Sequence, residues 1–394
     1  MVAADGPGRE LDIVLLGATG FTGGLVATEL DRRLAGTRLR WGVAGRDAAA
    51  LERVAAPLRS DPTRVRADVT DPRSLAALAA RTRVLATTVG PYARLGRDVA
   101  LACAEHGTHY ADISGEEEHV RALERDVEAS ARRTGATLVV CCGFDAVPHD
   151  LGAQFAVEAL PDDADVELRG YVRARGRPSG GTARTALDAL ATGVPTAGPD
   201  RVASDPARTV ERLPLGLHRP DRLGGWGVPL PTVDPLIVLR SARRLPGHGR
   251  RFRYGHFAHV RRTTTLALGG AALGAGALAA RTPPGRRLLE GLLPAPGDGP
   301  DAAARAAGRF TVLLVGRAAP ADGSAPRHVV ARVRGRDPGY GETSRMLAEA
   351  ALTLAGDERP DVTGVVTPAV GLGVPYRRRL EAAGIRFELV EPAR

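Results

Sequence analysis

Lysine is absent from this sequence: all 54 basic residues among its 394 are arginine. That excludes a Schiff-base lysine and a lysine general base, although genome composition explains the bias as readily as function does. Cysteine is scarce, limited to Cys103, Cys141 and Cys142. Two of these are adjacent and none stands at metal-ligand spacing, so a reducing cytoplasm is expected, with no disulfide framework and no metal. No Ser-His-Asp arrangement suggests itself either. Met1 to Glu10 lack a basic n-region and an apolar h-region, and no signal peptide is expected. Acidic residues are missing from one long window, between Asp234 and Glu290, which holds eleven arginines. The net charge of +9 is therefore local, and the rest of the chain is close to neutral.

What is present is an ordinary globular composition, 44% hydrophobic and 25% charged. The length exceeds the ~250–300 residues at which one core stops growing, so two domains are expected. The organising stretch is Leu11 to Thr28. An apolar run from Ile13 to Leu16 reads as a buried parallel strand. Leu25, Val26 and Leu30 suit one face of a helix. Between them lies Gly17-Ala18-Thr19-Gly20-Phe21-Thr22-Gly23, a strand-to-helix turn whose backbone N–H groups and helix dipole attract phosphate. Glycine is needed there for a tight turn, for the approach of a pyrophosphate, or for close helix–strand packing. The spacing G-x-x-G-x-x-G is read as dinucleotide-binding; a purely structural turn is the alternative.

Strands and helices then alternate. Leu39 to Gly45 reads as a second strand ending at Arg46, where an arginine suits a 2′-phosphate and favours NADP over NAD. Asp47, next in line, argues the other way. Val65 to Val69 reads as a third strand with Asp68 at its tip, an adenine contact or a helix cap. Val84 to Val89 is a fourth, broken at Gly90-Pro91-Tyr92, a turn expected beside the nicotinamide ribose. Thr108 to Ile113 and Leu138 to Cys142 are a fifth and sixth, with one helix expected over Glu116 to Arg133. This predicts a doubly wound parallel sheet of order 3-2-1-4-5-6.

Alternation loosens in the second half. Val166, Leu168 and Val172 suit a half-exposed strand. Ser179-Gly180-Gly181-Thr182 opens an expected helix, Ala183 to Thr192. Gly193 to Pro235 reads as long loops that could form a lid. Phe310–Val315 and Val329–Val333 form a hairpin in an antiparallel or mixed sheet. Thr265 to Ala280 is apolar but shorter than the ~20 residues of a membrane span. Its readings are a packed helix, using the small-xxx-small pair Gly270 and Gly274, or a helix on a membrane surface with arginines at the headgroups. Nucleic acid is not expected, because no binding module accompanies the arginines.

Several motifs resemble the saccharopine dehydrogenase-like oxidoreductases, and within them the trans-acting enoyl reductases of actinobacteria. They are Gly17 to Gly23, Gly90-Pro91-Tyr92 with Gly96 and Cys103, Gly107 to Glu116, and Cys142 to Pro148, with Ser179 to Thr182, Leu293 to Pro300 and Asp337 to Gly341 further on. The resemblance implies an α/β fold: a doubly wound parallel Rossmann sheet binding NADP, with a second α+β domain inserted before a C-terminal return to the first. The expected boundaries are 1–150, 151–338 and 339–394, the last packing back on the Rossmann domain. It also implies reduction by NADPH of an enoyl unit on an acyl or polyketide chain, carried on a synthase in lipid or secondary metabolism.

On that reading Gly17, Ala18, Thr19, Gly20, Phe21, Thr22, Gly23, Arg46, Asp68, Gly90 and Pro91 bind the cofactor. Tyr110, Tyr92, Asp145 and His149 are the groups available for proton transfer. Each has a structural alternative, since a tyrosine at a strand end belongs in a core and Asp145 before a helix serves as a cap. The expected partners are an acyl substrate, on an acidic carrier domain or alone, and a second copy in a homodimer. The setting is cytoplasmic, with peripheral contact through 240–290 at the inner face of a membrane. The alternatives are an imine or amino-acid oxidoreductase of saccharopine dehydrogenase type, and an NADP-binding membrane-surface protein without turnover.

Overall fold

A computed structural model describes residues 9–176, 208–291 and 299–390. The chain begins with β1 (Leu11–Leu16), α1 (Phe21–Leu34), β2 (Trp41–Gly45), α2 (Ala48–Ala55), β3 (Thr63–Arg66) and α3 (Pro72–Arg81). There follow β4 (Thr82–Thr87), α4 (Tyr92–Glu105), β5 (His109–Asp112), α5 (Glu117–Asp126), α6 (Glu128–Thr134), β6 (Thr137–Val139) and α7 (Val147–Val157). Next are β7 (Asp165–Arg175), β8 (Thr209–Arg212), β9 (Trp226–Pro229), α8 (Asp234–Arg244), β10 (Arg251–Val260), α9 (Thr263–Ala280) and α10 (Pro283–Gly291). The remainder is α11 (Ala302–Ala307), β11 (Arg309–Ala319), β12 (Arg327–Gly335), α12 (Gly341–Ala355), β13 (Gly364–Val366), α13 (Pro368–Gly371), α14 (Gly373–Ala382) and β14 (Arg386–Leu389).

Two compact units result: Met1–Val147 with Tyr340–Ala383, and Pro148–Gly339 with Gly384–Arg394. The first holds a wholly parallel sheet in the order β13-β6-β5-β4-β1-β2-β3. The predicted order 3-2-1-4-5-6 is present, and β13 extends it by a seventh strand. Ile13 to Leu16 are buried on both faces, as an interior parallel strand requires. Helix α12 lies over β1, β4 and β5 and against α1, and its residues Met346 to Ala348 and Ala350 to Leu354 are buried. That burial, and not chain order, brings 340–383 back to the first unit.

The second unit is a mixed sheet in the order β14-β12-β11-β7-β10-β8, with β9 antiparallel on β10. The hairpin β11–β12 is antiparallel, with Phe310 opposite Gly335. Tyr254 and His256, two residues apart, share a face of β10, and a Cβ on Gly170 would meet the Tyr254 hydroxyl at 2.3 Å.

Four expectations need correcting. The C-terminal return to the first sheet is made by β13, which pairs with β6, whereas the last strand, β14, pairs with β12, Phe387 opposite Val333, in the second. The helix expected over 116–133 is two, α5 and α6, meeting at the buried Val127. The stretch expected as loops before Pro235 includes β8 and β9. Finally, Thr265 to Ala280 is not a packed helix, because of α9 only Ala280 is buried. The helix expected at Ala183 to Thr192, the Ser179 to Thr182 motif and most of 293–300 lie outside the described residues.

Candidate active site

The carboxyl edge of the parallel sheet assembles the site, where a doubly wound fold places its ligand. Gly17 leaves β1 at φ 87°, the left-handed region, and an added Cβ would stand 2.7 Å from Val89 and 2.9 Å from Thr88. A Cβ on Gly23 would lie 2.1 Å from the Gly17 carbonyl oxygen, so this glycine lets α1 sit directly against the turn. Gly20 differs. Its φ of −78° suits any residue, and its Cβ would meet no protein atom closer than 3.5 Å. What glycine leaves open at Gly20 is space on the outer side of the turn. It is also the N-cap of α1, whose first turn has neither a capping side chain nor an acidic residue. An uncapped N-terminus with room above it fits a diphosphate.

The neighbouring strand ends supply the second half. A Cβ on Gly45 would lie 3.7 Å from Thr19, so the end of β2 runs beside the glycine turn. Arg46 and Arg66, following β2 and ending β3, line a cavity of about 290 Å³ with Asp68, Asp71 and Ser74. The acids there are occupied. Asp71 caps α3 by accepting from the Arg73 backbone N–H at 3.0 Å, and Asp47 caps α2 through Ala50. Asp68 lies beyond the strand, two residues past the end of β3. Hydrogen bonds from the Thr70 backbone and hydroxyl, joined by the charges of Arg46 and Arg66, hold its carboxyl below the ordinary value. Two guanidinium groups around a small cavity fit a phosphate monoester. Arg66 was missed in the sequence because the short Thr-Arg-Val-Arg strand carries no motif.

At the other side of the edge, the residues expected to transfer protons are differently placed. Tyr110 is fully buried and donates its hydroxyl to Asp112 Oδ2 at 2.9 Å. Tyr92 is buried too, and its hydroxyl donates to the Thr87 carbonyl at 3.0 Å. Burial, then the charge of Asp112, push both phenols well above their ordinary range. These two hydroxyls serve the core, a correction to the expectation that they face substrate. Asp112 is the hub of that core. Its Oδ1 accepts from the Cys141 N–H at 2.8 Å and from the Ser114 hydroxyl at 2.7 Å, and its Oδ2 lies 3.2 Å from His119 Nε2. Burial raises the Asp112 carboxyl, but His119 and these hydrogen bonds outweigh it and hold the carboxyl low. His119 in turn occupies space that a Cβ on Gly96 would fill, at 2.5 Å. Gly90 and Pro91 precede α4, whose N-terminus is closed by Glu116, accepting from Tyr92 N–H at 3.0 Å and Ala93 N–H at 2.7 Å. Asp145, in the turn after β6, is half-buried beside Gly115.

His149 belongs to the second unit and is buried there with Asp234 and His256. His149 Nδ1 stands 2.5 Å from Asp234 Oδ1. Two ligands of one tetrahedral ion, each ~2.0–2.1 Å from it, would stand well over 3 Å apart, so these two side chains meet directly inside a buried cluster. The sequence separation of its members hid it.

Residues 13–140 match the Saccharopine dehydrogenase NADP binding domain. The first unit is therefore the nucleotide-binding part of an NADP-binding oxidoreductase family. Across nearly its whole length the chain is 36% identical to a protein of Mycobacterium tuberculosis provisionally named a trans-acting enoyl reductase, covering 96% of this chain and 97% of that one. It is 33% identical, with the same coverage, to the trans-acting enoyl reductase of Mycobacterium leprae. The chain belongs to this family. Among solved structures it resembles apo saccharopine dehydrogenase (L-Glu forming) from Saccharomyces cerevisiae, at TM-score 0.54 and 16% identity over 98% of this chain and 100% of that one, which shows a shared fold.

Proposed function

We propose that the protein is an NADPH-dependent reductase of a carbon–carbon double bond conjugated to an acyl carbonyl, on an acyl or polyketide chain. The observation that carries the reading is the full-length similarity to trans-acting enoyl reductases, together with a turn and an arginine pair suited to the coenzyme. The Gly17–Gly23 turn holds the diphosphate against backbone N–H groups, and Arg46 and Arg66 hold the 2′-phosphate. The bound coenzyme supplies a hydride to the β-carbon. The chain's own tasks are to donate hydrogen bonds to the carbonyl oxygen as charge moves onto it and to see the α-carbon protonated. Of the four groups considered, Asp145 is the one left half-exposed at the carboxyl edge, and it is the candidate for placing that proton.

The test is single-turnover oxidation of NADPH, followed by absorbance, with enoyl thioesters on coenzyme A or a carrier domain. Saturated thioester formed in step with NADPH loss supports the reading, and Asp145→Asn then slows the step with unchanged NADPH binding. NADPH oxidation by imino acids and none by enoyl thioesters would move the protein to the saccharopine dehydrogenase type. Binding without turnover of either would make it a coenzyme-binding protein.

A further inference from the structure

The second unit carries a feature that hydride transfer does not use. Helix α9 is 18 residues long with a mean hydropathy of 1.3, yet only 6% of it is buried. Leu268, Leu273 and Leu278 are 74%, 58% and 67% exposed, and Leu288 on α10 is 68% exposed. A Cβ on Gly269, Gly270, Gly274 or Gly276 would meet nothing within 4 Å. The apolar surface runs round the whole helix rather than along one stripe, so a neighbour covering one side would leave the rest in water. Four glycines also make it a poor helix in water, whereas hydrocarbon forces a backbone to satisfy its own hydrogen bonds.

The ends of the helix are cationic. Arg261 and Arg262 precede it and Arg281 follows it, with Arg286 and Arg287 on α10. Among the described residues no acid pairs with Arg261 or Arg262, and the pair lines a cavity of about 750 Å³ with His259, Val260 and Thr265. Burial, then the charge of Arg261, hold the nearby Arg173 below its ordinary value. Trp226 sits at the same end, its indole N–H donating to Thr263 Oγ1 at 3.1 Å, with Arg219 4.4 Å above its ring. Elsewhere in the arginine window Arg251 pairs with Glu211 and Arg253 with Glu167, and Phe252 between them is core.

We infer that α9 embeds in one leaflet of an anionic membrane, with Arg261, Arg262 and Arg281 at the level of the lipid phosphates and Trp226 at the interface. The topology excludes a crossing. Strand β10, before α9, and β11, after α10, both pair with β7 in one sheet, so the chain returns to the side it left. About 27 Å of helix with cations at both ends keeps both ends at the surface. This places a reaction on greasy acyl chains at the surface where such chains collect, but the geometry stands without that reading.

The test is sedimentation of the full chain with phosphatidylcholine vesicles, with and without phosphatidylglycerol. Expected are strong binding to the anionic vesicles, weak binding to the neutral ones, and quenching of Trp226 by brominated lipid; the buried Trp41 stays silent. Leu268→Asp with Leu273→Asp and Leu278→Asp, and separately Arg261→Glu with Arg262→Glu, should each weaken binding by about tenfold or more. NADPH affinity should stay unchanged in both, which also certifies that they fold. The inference is overturned by wild-type protein that stays in the supernatant with both vesicle types, or by leucine variants that sediment like wild type. It is equally overturned if α9 instead holds two copies together, seen as a vesicle-free dimer that the leucine variants dissociate, or captures an acidic carrier domain while ignoring lipid. A protein that binds vesicles and fails to oxidise NADPH would leave this inference standing and remove the reductase.

Discussion

Gly20 and Gly23 look alike in the sequence and differ in what surrounds them. A Cβ at Gly23 collides with the Gly17 carbonyl, whereas at Gly20 it meets that carbonyl only at an ordinary 3.5 Å. Gly23→Ala should therefore cost stability, on the order of 2 kcal/mol or more, because helix and turn must separate. Gly20→Ala should leave the melting temperature near wild type and weaken NADPH binding by about tenfold or more. Calorimetry and a fluorescence titration on each variant check this; the reverse pattern would deny the cradle. Tyr110 makes a second residue-scale case. Its hydroxyl serves Asp112 inside the core, so Tyr110→Phe should lower stability by about 1–2 kcal/mol in urea and leave turnover intact. Lost turnover with unchanged stability would restore the tyrosine to catalysis.

At the scale of elements, the parallel sheet was legible because buried strands and their crossover helices write a strong pattern. The strand order and the turn at Gly17–Gly23 follow from it. Other pieces write little. Gly364–Val366 is three residues long and finds its place only because Glu128 and β6 receive it, the Glu128 carboxylate accepting the Val365 N–H. Strand β14 has no signal for which sheet it joins; that depends on pairing with β12 and on Arg332 and Arg334 meeting Glu388. Arg46 could be read from its position after a strand, but Arg66 needed the parallel register that sets Gly45 beside it. Apolar composition left α9 open between a packed helix and one on a membrane surface, because composition does not say what lies outside. The cap of α4 tests an element directly. Glu116 closes it from 24 residues away, so Glu116→Ala should cost about 1–2 kcal/mol of stability, measured by urea unfolding. No change would mean that the Gly90–Tyr92 turn is held by other contacts.

At the scale of the whole molecule, buried histidines make both units sensitive to acid. Burial lowers His256 to about 4, against the opposing charge of Asp234, and lowers His248 to about 4. In the first unit burial, assisted by Arg359, takes His109 to about 3. The unfolded chain protonates such groups near pH ~6.5 while the folded chain does not. The stability they contribute is complete above that pH and is lost as pH falls toward 4, roughly 3 kcal/mol for one group. Asp112, held low, and Asp234, held to about 2 despite burial by His149 and His256, add a further loss below pH ~4. Urea midpoints should therefore fall steadily from neutral pH toward pH ~4.5, and a flat or rising profile would contradict the burial of these groups as neutral species.

The account turns on a coenzyme seated across the glycine turn with its 2′-phosphate between Arg46 and Arg66. Isothermal titration of wild type and of the Arg46→Ala, Arg66→Ala double variant, with NADPH and with NADH, tests it most directly. Wild type should prefer NADPH by about a hundredfold, and the double variant should lose that preference by weakening NADPH alone, as charge-assisted hydrogen bonds of about 1.5–3 kcal/mol imply. Equal affinity of wild type for the two coenzymes, or no heat with either, would contradict it.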